Sequence, residues 1–231
     1  MGAALGAGLS RPAFPLMSND SLPLFPLPTV LFPGQVLPLY VFEERYRALL
    51  RRVQASGGPF GVVWIERSSR DSAAPLHERL SAVGTLAHLT ESEVHEDGTS
   101  SILVVGGERF RLRGMAFDEP FLTAGAELWP LPDPALPEAQ AATQRAADLL
   151  RGMQRSWPER AAVLRQEAPA EPLLLASYAA SLLCALSRDR AAPACNAALA
   201  APTLLSRLEL LLAALPAEVP PEASGDGAAL H

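Results

Sequence analysis

Residues 22–53, LPLFPLPTVLFPGQVLPLYVFEERYRALLRRV, decide the fold. Two short apolar runs flank Phe32-Pro33-Gly34, where proline presets one turn dihedral and glycine takes the next. The stretch therefore reads as two strands joined by a turn. It passes without a break into a helix opening at Glu43 and Glu44. Phe42, Tyr46, Leu49, Leu50 and Val53 recur at i, i+4, i+7, i+8 and i+11, the spacing of one apolar stripe. Glu43 and Arg47 stand at i,i+4 with the acid first, the favoured sense for an ion pair. Acids at the helix start suit its dipole, and Gly57-Gly58 marks the stop.

Outward from that helix the pattern stays strand-like to about Trp129. Phe60 to Glu66 is a β-branched and aromatic run, and residues 67–79 are polar and read as an exposed loop. A strand near Val83 to Thr90 leads to Asp97-Gly98, a hairpin signal. Ser101 to Val105 follows and ends at Gly106-Gly107, which should bend or bulge the strand. Arg109 to Arg113 continues the sheet and Phe121 to Trp129 closes it. Six or more short strands at this spacing suggest a small barrel-like β domain.

Four prolines between Pro130 and Pro137 mark a stiff connector, after which the period becomes helical. Ala142, Ala146, Leu149, Leu150, Met153 and Trp157 form one stripe. Ser156 and Glu159 have the spacing of a capping box for a next helix. Pro172 to Ser187 is apolar nearly all round but shorter than the ~20 residues a membrane span needs, so it reads as a buried bundle helix. Leu204, Leu205, Leu208, Leu211, Leu212 and Leu215 form a last amphipathic helix ended by Pro216.

Hydrophobic residues make up 49% of the 231, ample for a core, and the net charge of −6 argues against a surface built for nucleic acid. All 19 basic residues are Arg. Base composition accounts for that, yet it has chemical consequences. A P-loop needs its Lys at the β/γ-phosphates, and a Ser-Lys dyad or Schiff base needs one as well. Cys184 and Cys195 lack metal-ligand spacing and read as small core residues of a reduced, cytoplasmic protein. His77, His88, His95 and His231 are scattered, and no Gly-x-Ser-x-Gly elbow occurs. No catalytic residue, metal or cofactor is expected. The first eighteen residues are a poor signal peptide, and Met17 is the expected true start.

Leu24-Phe25-Pro26-Leu27, Phe32-Pro33-Gly34, Phe42-Glu43-x-Arg45-Tyr46, Phe60-Gly61-Val62-Val63, Val83-Gly84-Thr85, Asp97-Gly98, Gly107-x-Arg109-Phe110-Arg111 and the Arg207-Leu208 helix come in one order. In that order the chain resembles the N-terminal, substrate-binding domain family of Lon protease across nearly all of residues 22–215. Thr99 stands where the family often has Arg. The resemblance implies an α+β fold, in which a PUA-like β-barrel or sheet domain with one early helix precedes a C-terminal helical bundle. The expected divisions are an extension at 1–18, the β domain at 19–130, the connector at 131–137, the bundle at 138–216 and a flexible tail at 217–231. Without Lys for an ATPase or a dyad, the chain resembles stand-alone bacterial members of the family. The implied role is a non-enzymatic module that takes up unfolded or extended polypeptide in protein quality control, with an ATP-dependent protease as a candidate partner. Neither nucleic acid nor membrane is the expected partner.

The expected peptide-binding residues are Phe32, Phe42, Arg45 and Tyr46, in a groove between β domain and bundle. Arg45 can hold a peptide carboxylate or carbonyl with its fork of donors. Equally, it can pair with a nearby acid while Tyr46 packs the helix on the sheet. Arg109, Arg111 and Arg113 alternate along a strand and so share one face. That face is either an anion or RNA stripe, the alternative function, or a solvated face balanced by Glu108, Asp118 and Glu119. No aromatic platform interleaves with the three arginines.

Overall fold

A computed structural model describes residues 21–117 and 119–216, with backbone alone at 187–190. The expectations for residues 1–18, Met17, Asp118, the tail and His231 lie outside the described residues. The strands are β1 (Leu22–Leu27), β2 (Val36–Val41), β3 (Phe60–Ile65), β4 (Leu80–Val94), β5 (Ser100–Ala116) and β6 (Thr123–Leu128). The helices are α1 (Glu44–Ser56), α2 (Leu136–Ser156), α3 (Ala161–Glu167), α4 (Pro172–Leu199) and α5 (Leu204–Ala213). The α+β expectation holds. The sheet runs β2-β5-β4-β3-β1-β6, and β6 also pairs with β5. Five strands thus close a ring, and β2 is attached outside it, on β5 alone.

The first two strands are not hairpin partners. β1 lies parallel to β3, with α1 in the crossover, and β2 lies antiparallel to β5. The turn between them docks onto β5 instead. Gly34, at φ +78°, donates its N–H to Gly106 O at 2.7 Å, and the Gly106 N–H donates to Gln35 O at 2.8 Å. A Cβ on Gly106 would lie 2.1 Å from Phe32 O, so only glycine lets the turn approach. Between the pairs Ala87–Gly106 and Thr85–Arg109 β5 carries one residue more than β4, the expected bulge. β5 nevertheless continues as one strand, and Asp97-Gly98 makes its hairpin with β4.

α1 buries Tyr46, Leu49, Leu50 and Val53 against Phe25, Phe60, Val62 and Ile102 on the outside of the ring. Each such side chain contributes about 1.5–3 kcal/mol. Phe42 does not join that stripe. Glu43 is the extended N-cap residue, so the helical period stops short of Phe42, which is 61% exposed. The ion pairs also shift, because Arg47 reaches Glu44 at 3.2 Å while Glu43 takes Arg45 at 2.7 Å. Inside the ring, Phe110 packs with Leu24, Val63 and Leu86. Gly61 and Gly84 make room for it, since a Cβ on either would meet Phe110 Cζ at 2.7 Å. The polar stretch 67–79 holds a short 3-10 turn, and Arg79 is buried there, bonded to the Arg67 and Ala74 carbonyls.

Residues 130–135 carry no regular secondary structure and α2 begins at Leu136, with Pro137 in its first turn, where a missing N–H breaks no helical bond. Its expected stripe is buried, apart from a half-buried Leu150. The Ser156–Glu159 capping box does not form. Ser156 closes α2 and donates its hydroxyl to Pro216 O at 2.9 Å, while Pro158 diverts the chain into a 3-10 turn. α4 runs on to Leu199, well beyond Ser187, and it is not a rod. The Cys195 thiol lies 3.7 Å from Ala180 O, fifteen residues earlier. A straight helix would set those residues about 22 Å apart, so the segment doubles back between Ala180 and Cys195. Buried Ala176, Ala179 and Ala180 on one arm and Ala191 and Ala198 on the other permit the close approach. Among the described residues no helix is long and apolar enough to cross a membrane.

Candidate functional site

The helices pack directly onto the β ring, and this contact corrects two expectations. Phe32 is 0% exposed and belongs to the helical core with Val30 and Val83. The Arg207 guanidinium lies 5.6 Å from the centre of its ring. Phe32 therefore cannot line an open groove, and the space between ring and bundle at this point is filled.

Arg109 is filled in with it. Strand alternation does put Arg109, Arg111 and Arg113 on one face, but α4 covers one end of that face. Arg109 is 1% exposed and donates to Leu199 O at 2.7 Å, and also to Ala201 O and Trp129 O. Arg207, equally buried, donates to Ala198 O and Leu199 O, so two cations cap the carbonyl end of α4, where the helix dipole is negative. Burial pulls the Arg109 pKa down to about 10, with the Arg111 charge adding to the shift, and that of Arg207 to about 9, with the Arg109 charge adding to it. Trp129 supplies the aromatic platform missing from the sequence pattern, with Arg109 3.8 Å and Arg111 3.6 Å from its ring centre. Arg113 pairs with Glu127. The three arginines are thus a strap, a stack and an ion pair rather than an open anion stripe.

The exposed apolar surface lies elsewhere. Because β2 is outside the ring, its outer face carries Val36, Pro38 and Tyr40 beside Leu103 and Ser101 of β5, in cross-strand register. Val36 and Tyr40 are 57% and 54% exposed. Continued onto Glu91 and Glu93 of β4, this face forms a shallow depression of about 430 Å³. Tyr40 stacks toward Phe42 at 6.2 Å between ring centres. Its hydroxyl donates to Thr99 Oγ1 at 2.8 Å, and the Thr99 hydroxyl donates on to Asp97 Oδ1 at 2.6 Å. The Asp97-Gly98 turn thereby holds the exposed ring in place, which gives Thr99 a role. Neither Tyr40 nor its depression was singled out by the sequence. The readable signal was VLPLYV, a strand with apolar residues on both faces.

A second depression, of about 220 Å³, opens beside the first turn of α1 between Pro26, Arg45, Tyr46, His77, Phe117 and Phe121. Phe117 is exposed and meets the His77 ring edge-on at 4.8 Å. Tyr46 itself is buried and stacked on Phe25 at 4.2 Å, with Arg45 4.5 Å from its ring centre. Burial pushes the Tyr46 hydroxyl pKa up, against the opposing pull of the Arg45 charge. Arg45 pairs with Glu43 while Tyr46 packs the helix on the sheet, the second of the readings left open by the sequence, and Arg45 also lines this pocket. Of the four expected residues, Phe42, Arg45 and Tyr46 cluster at the start of α1, where Arg45 and Tyr46 line the second depression, and Phe32 does not. Among the described residues no three His, Cys, Asp or Glu side chains gather as a metal site would require.

Residues 21–215 match the family model described as the ATP-dependent protease La (LON) substrate-binding domain. Lon protease 4 of Sorangium cellulosum is 33% identical over 183 residues, which are 78% of this chain and 21% of that protein. Lon protease of Cytophaga hutchinsonii is 33% identical over 104 residues, 45% of this chain and 12% of that protein. The chain thus spans a small part of the length of the curated relatives it matches. Among solved structures, a Lon N-terminal domain protein from Xanthomonas campestris is 26% identical with a TM-score of 0.54, over 85% of this chain and 99% of that one. The N-terminal domain of the Mycobacterium avium complex Lon protease has a TM-score of 0.61 at 18% identity, over 85% and 98% of the two chains, a likeness of fold.

Proposed function

Because the chain belongs to the Lon substrate-binding domain family, we propose that it is a non-catalytic module that binds extended or unfolded polypeptide. The observation that carries this reading is the exposed aromatic pair Tyr40–Phe42 beside the depression on β2. Two large rings more than half in solvent lose apolar surface only when something covers them, and each can contribute a stacking or packing anchor. Arg45, in the neighbouring pocket, offers donors to a backbone carbonyl or carboxylate. Through the family the proposal extends to protein quality control and to an ATP-dependent protease as partner. The arginines of β5 support the RNA alternative less, since Arg109 is buried and Arg113 is paired.

The test is a fluorescence-anisotropy titration against a labelled unfolded polypeptide. Saturable binding in the micromolar range, changed less than about twofold by added salt, is expected for apolar capture, whereas nucleic-acid-like binding falls steeply with salt. The double variant Tyr40→Ala/Phe42→Ala should lose roughly tenfold or more in affinity, about 1.4 kcal/mol, with an unchanged circular-dichroism spectrum. Absence of binding at tens of micromolar, or an unchanged affinity in that variant, overturns the proposal.

A further inference from the structure

Cys184 and Cys195 are eleven positions apart in sequence, a distance that would separate them by three turns on a straight helix. The doubling back of α4 removes that separation. Cys195, wholly buried, points its thiol at Ala180 O on the opposite arm. Ala180 is one turn before Cys184 and on the same helical face. Both cysteines pack in one cluster with Val30, and Thr29 and Val30, from the segment between β1 and β2, lie beside Cys184. Both thiols are free, and Cys184 is only half-buried while Cys195 is enclosed.

We propose that Cys184 and Cys195 are an oxidation site: a peroxide converts them to an intramolecular disulfide that joins the two arms of α4. The roles divide by environment. The neighbouring Cys195, together with Thr29 and Val30, favours the Cys184 thiolate and draws it below the ordinary thiol range, to about 7. Cys195 is pushed upward by Cys184 and by burial. Cys184 is the attacking sulfur, since the thiolate is the nucleophile. It takes one oxygen from the peroxide: an S–O bond forms, the O–O bond breaks, and the departing oxygen leaves as alcohol or water after gaining a proton. The Cys195 sulfur then attacks the Cys184 sulfenic acid. The S–S bond forms, the S–O bond breaks, and hydroxide leaves with the Cys195 proton as water. Two thiols are oxidised by two electrons and one hydroperoxide is reduced. In the disulfide, Cys184 no longer offers a thiolate to Thr29 and Val30, so the change reaches the β1–β2 segment that carries Phe32.

The experiment treats the folded full chain with stoichiometric hydrogen peroxide, then counts alkylatable thiols in denaturant and maps the peptides by mass spectrometry. The wild type should lose both thiols and two hydrogen atoms, remain monomeric on a non-reducing gel, and regain both thiols with dithiothreitol. Cys195→Ser should stop at a sulfenic acid on Cys184 that dimedone traps. Cys184→Ser should leave Cys195 free, with alkylation of the folded protein at least tenfold slower than at Cys184 in the wild type. Two free thiols after treatment, cross-links only between chains, or sulfinic acid at Cys184 without a cross-link would each overturn the proposal.

Discussion

Arg109→Ala should be among the costliest single changes in this chain, although it touches neither exposed depression. The side chain makes three cation-to-carbonyl bonds, to Trp129 on the β side and to Leu199 and Ala201 on the helical side. Bonds of that kind contribute about 1.5–3 kcal/mol each. Desolvation of the guanidinium offsets part of that gain. Alanine would leave the Trp129 and Ala201 carbonyls unsatisfied and a cavity against the Trp129 ring. A net loss of about 2–5 kcal/mol follows, or a urea midpoint lower by roughly 1–2 M with the slope unchanged. Arg109→Lys keeps the charge, but a single ammonium cannot span both sides, so roughly half the loss should remain. Arg113→Ala is the internal control, since its exposed pair with Glu127 contributes no more than about 1 kcal/mol. The assay is equilibrium urea unfolding followed by circular dichroism. If Arg109→Ala moved the midpoint no further than Arg113→Ala, Arg109 would not be a strap between ring and bundle.

Two adjacent glycines should respond very differently to alanine. Gly106→Ala sets a Cβ against the Phe32 carbonyl, backbone that is itself anchored, and should cost about 1–3 kcal/mol or more. Gly107→Ala meets only the end of the exposed His88 side chain and should cost well under 1 kcal/mol by the same measure; equal thermal midpoints for the two would refute the docked turn. Asp97 accepts from the Thr99 hydroxyl and amide, which hold its carboxyl below the ordinary aspartate value of 3.8. It binds fewer protons folded than unfolded, so its contribution is complete above the unfolded pKa and is lost as pH falls through the lowered folded one. In an NMR titration the Tyr40 ring should follow the Asp97 midpoint, and a carboxyl titrating at or above 3.8 would contradict that linkage.

Local chemistry was legible in the sequence wherever one element decides it. The buried positions Tyr46, Leu49, Leu50 and Val53, the Gly57 stop and the Asp97-Gly98 hairpin follow from period and turn residues within a few positions. What failed depends on a second element. Alternation put Arg109 on a face with Arg111 and Arg113, but whether that face meets water or α4 is a tertiary fact. Phe32 and Phe42 look alike in sequence as aromatics beside a motif. One lies under the bundle and the other in solvent, because the first sits in a turn docked on Gly106 and the second precedes an extended cap. The reversal of α4 is invisible because its arms are apolar on nearly every side, leaving no stripe to show which face meets which. The pairing of Cys184 with Cys195 is hidden for the same reason.

Closure of the ring also orders the chain in time. β1, near the start, finds its second neighbour only in β6, at Leu22–Ala124 and Pro23–Thr123, and Arg109 waits for the carbonyls of Leu199 and Ala201. During synthesis, β1, α1 and β3 can assemble early as one crossover unit. Until residue 124 emerges the ring has two open edges, and until residue 201 emerges a buried-to-be guanidinium stays wet. Pairings this distant in sequence slow folding and lengthen the exposure of unpaired strands. Most of the native hydrogen-bond framework should therefore form late and together, with the last arm of α4 acting as its keystone.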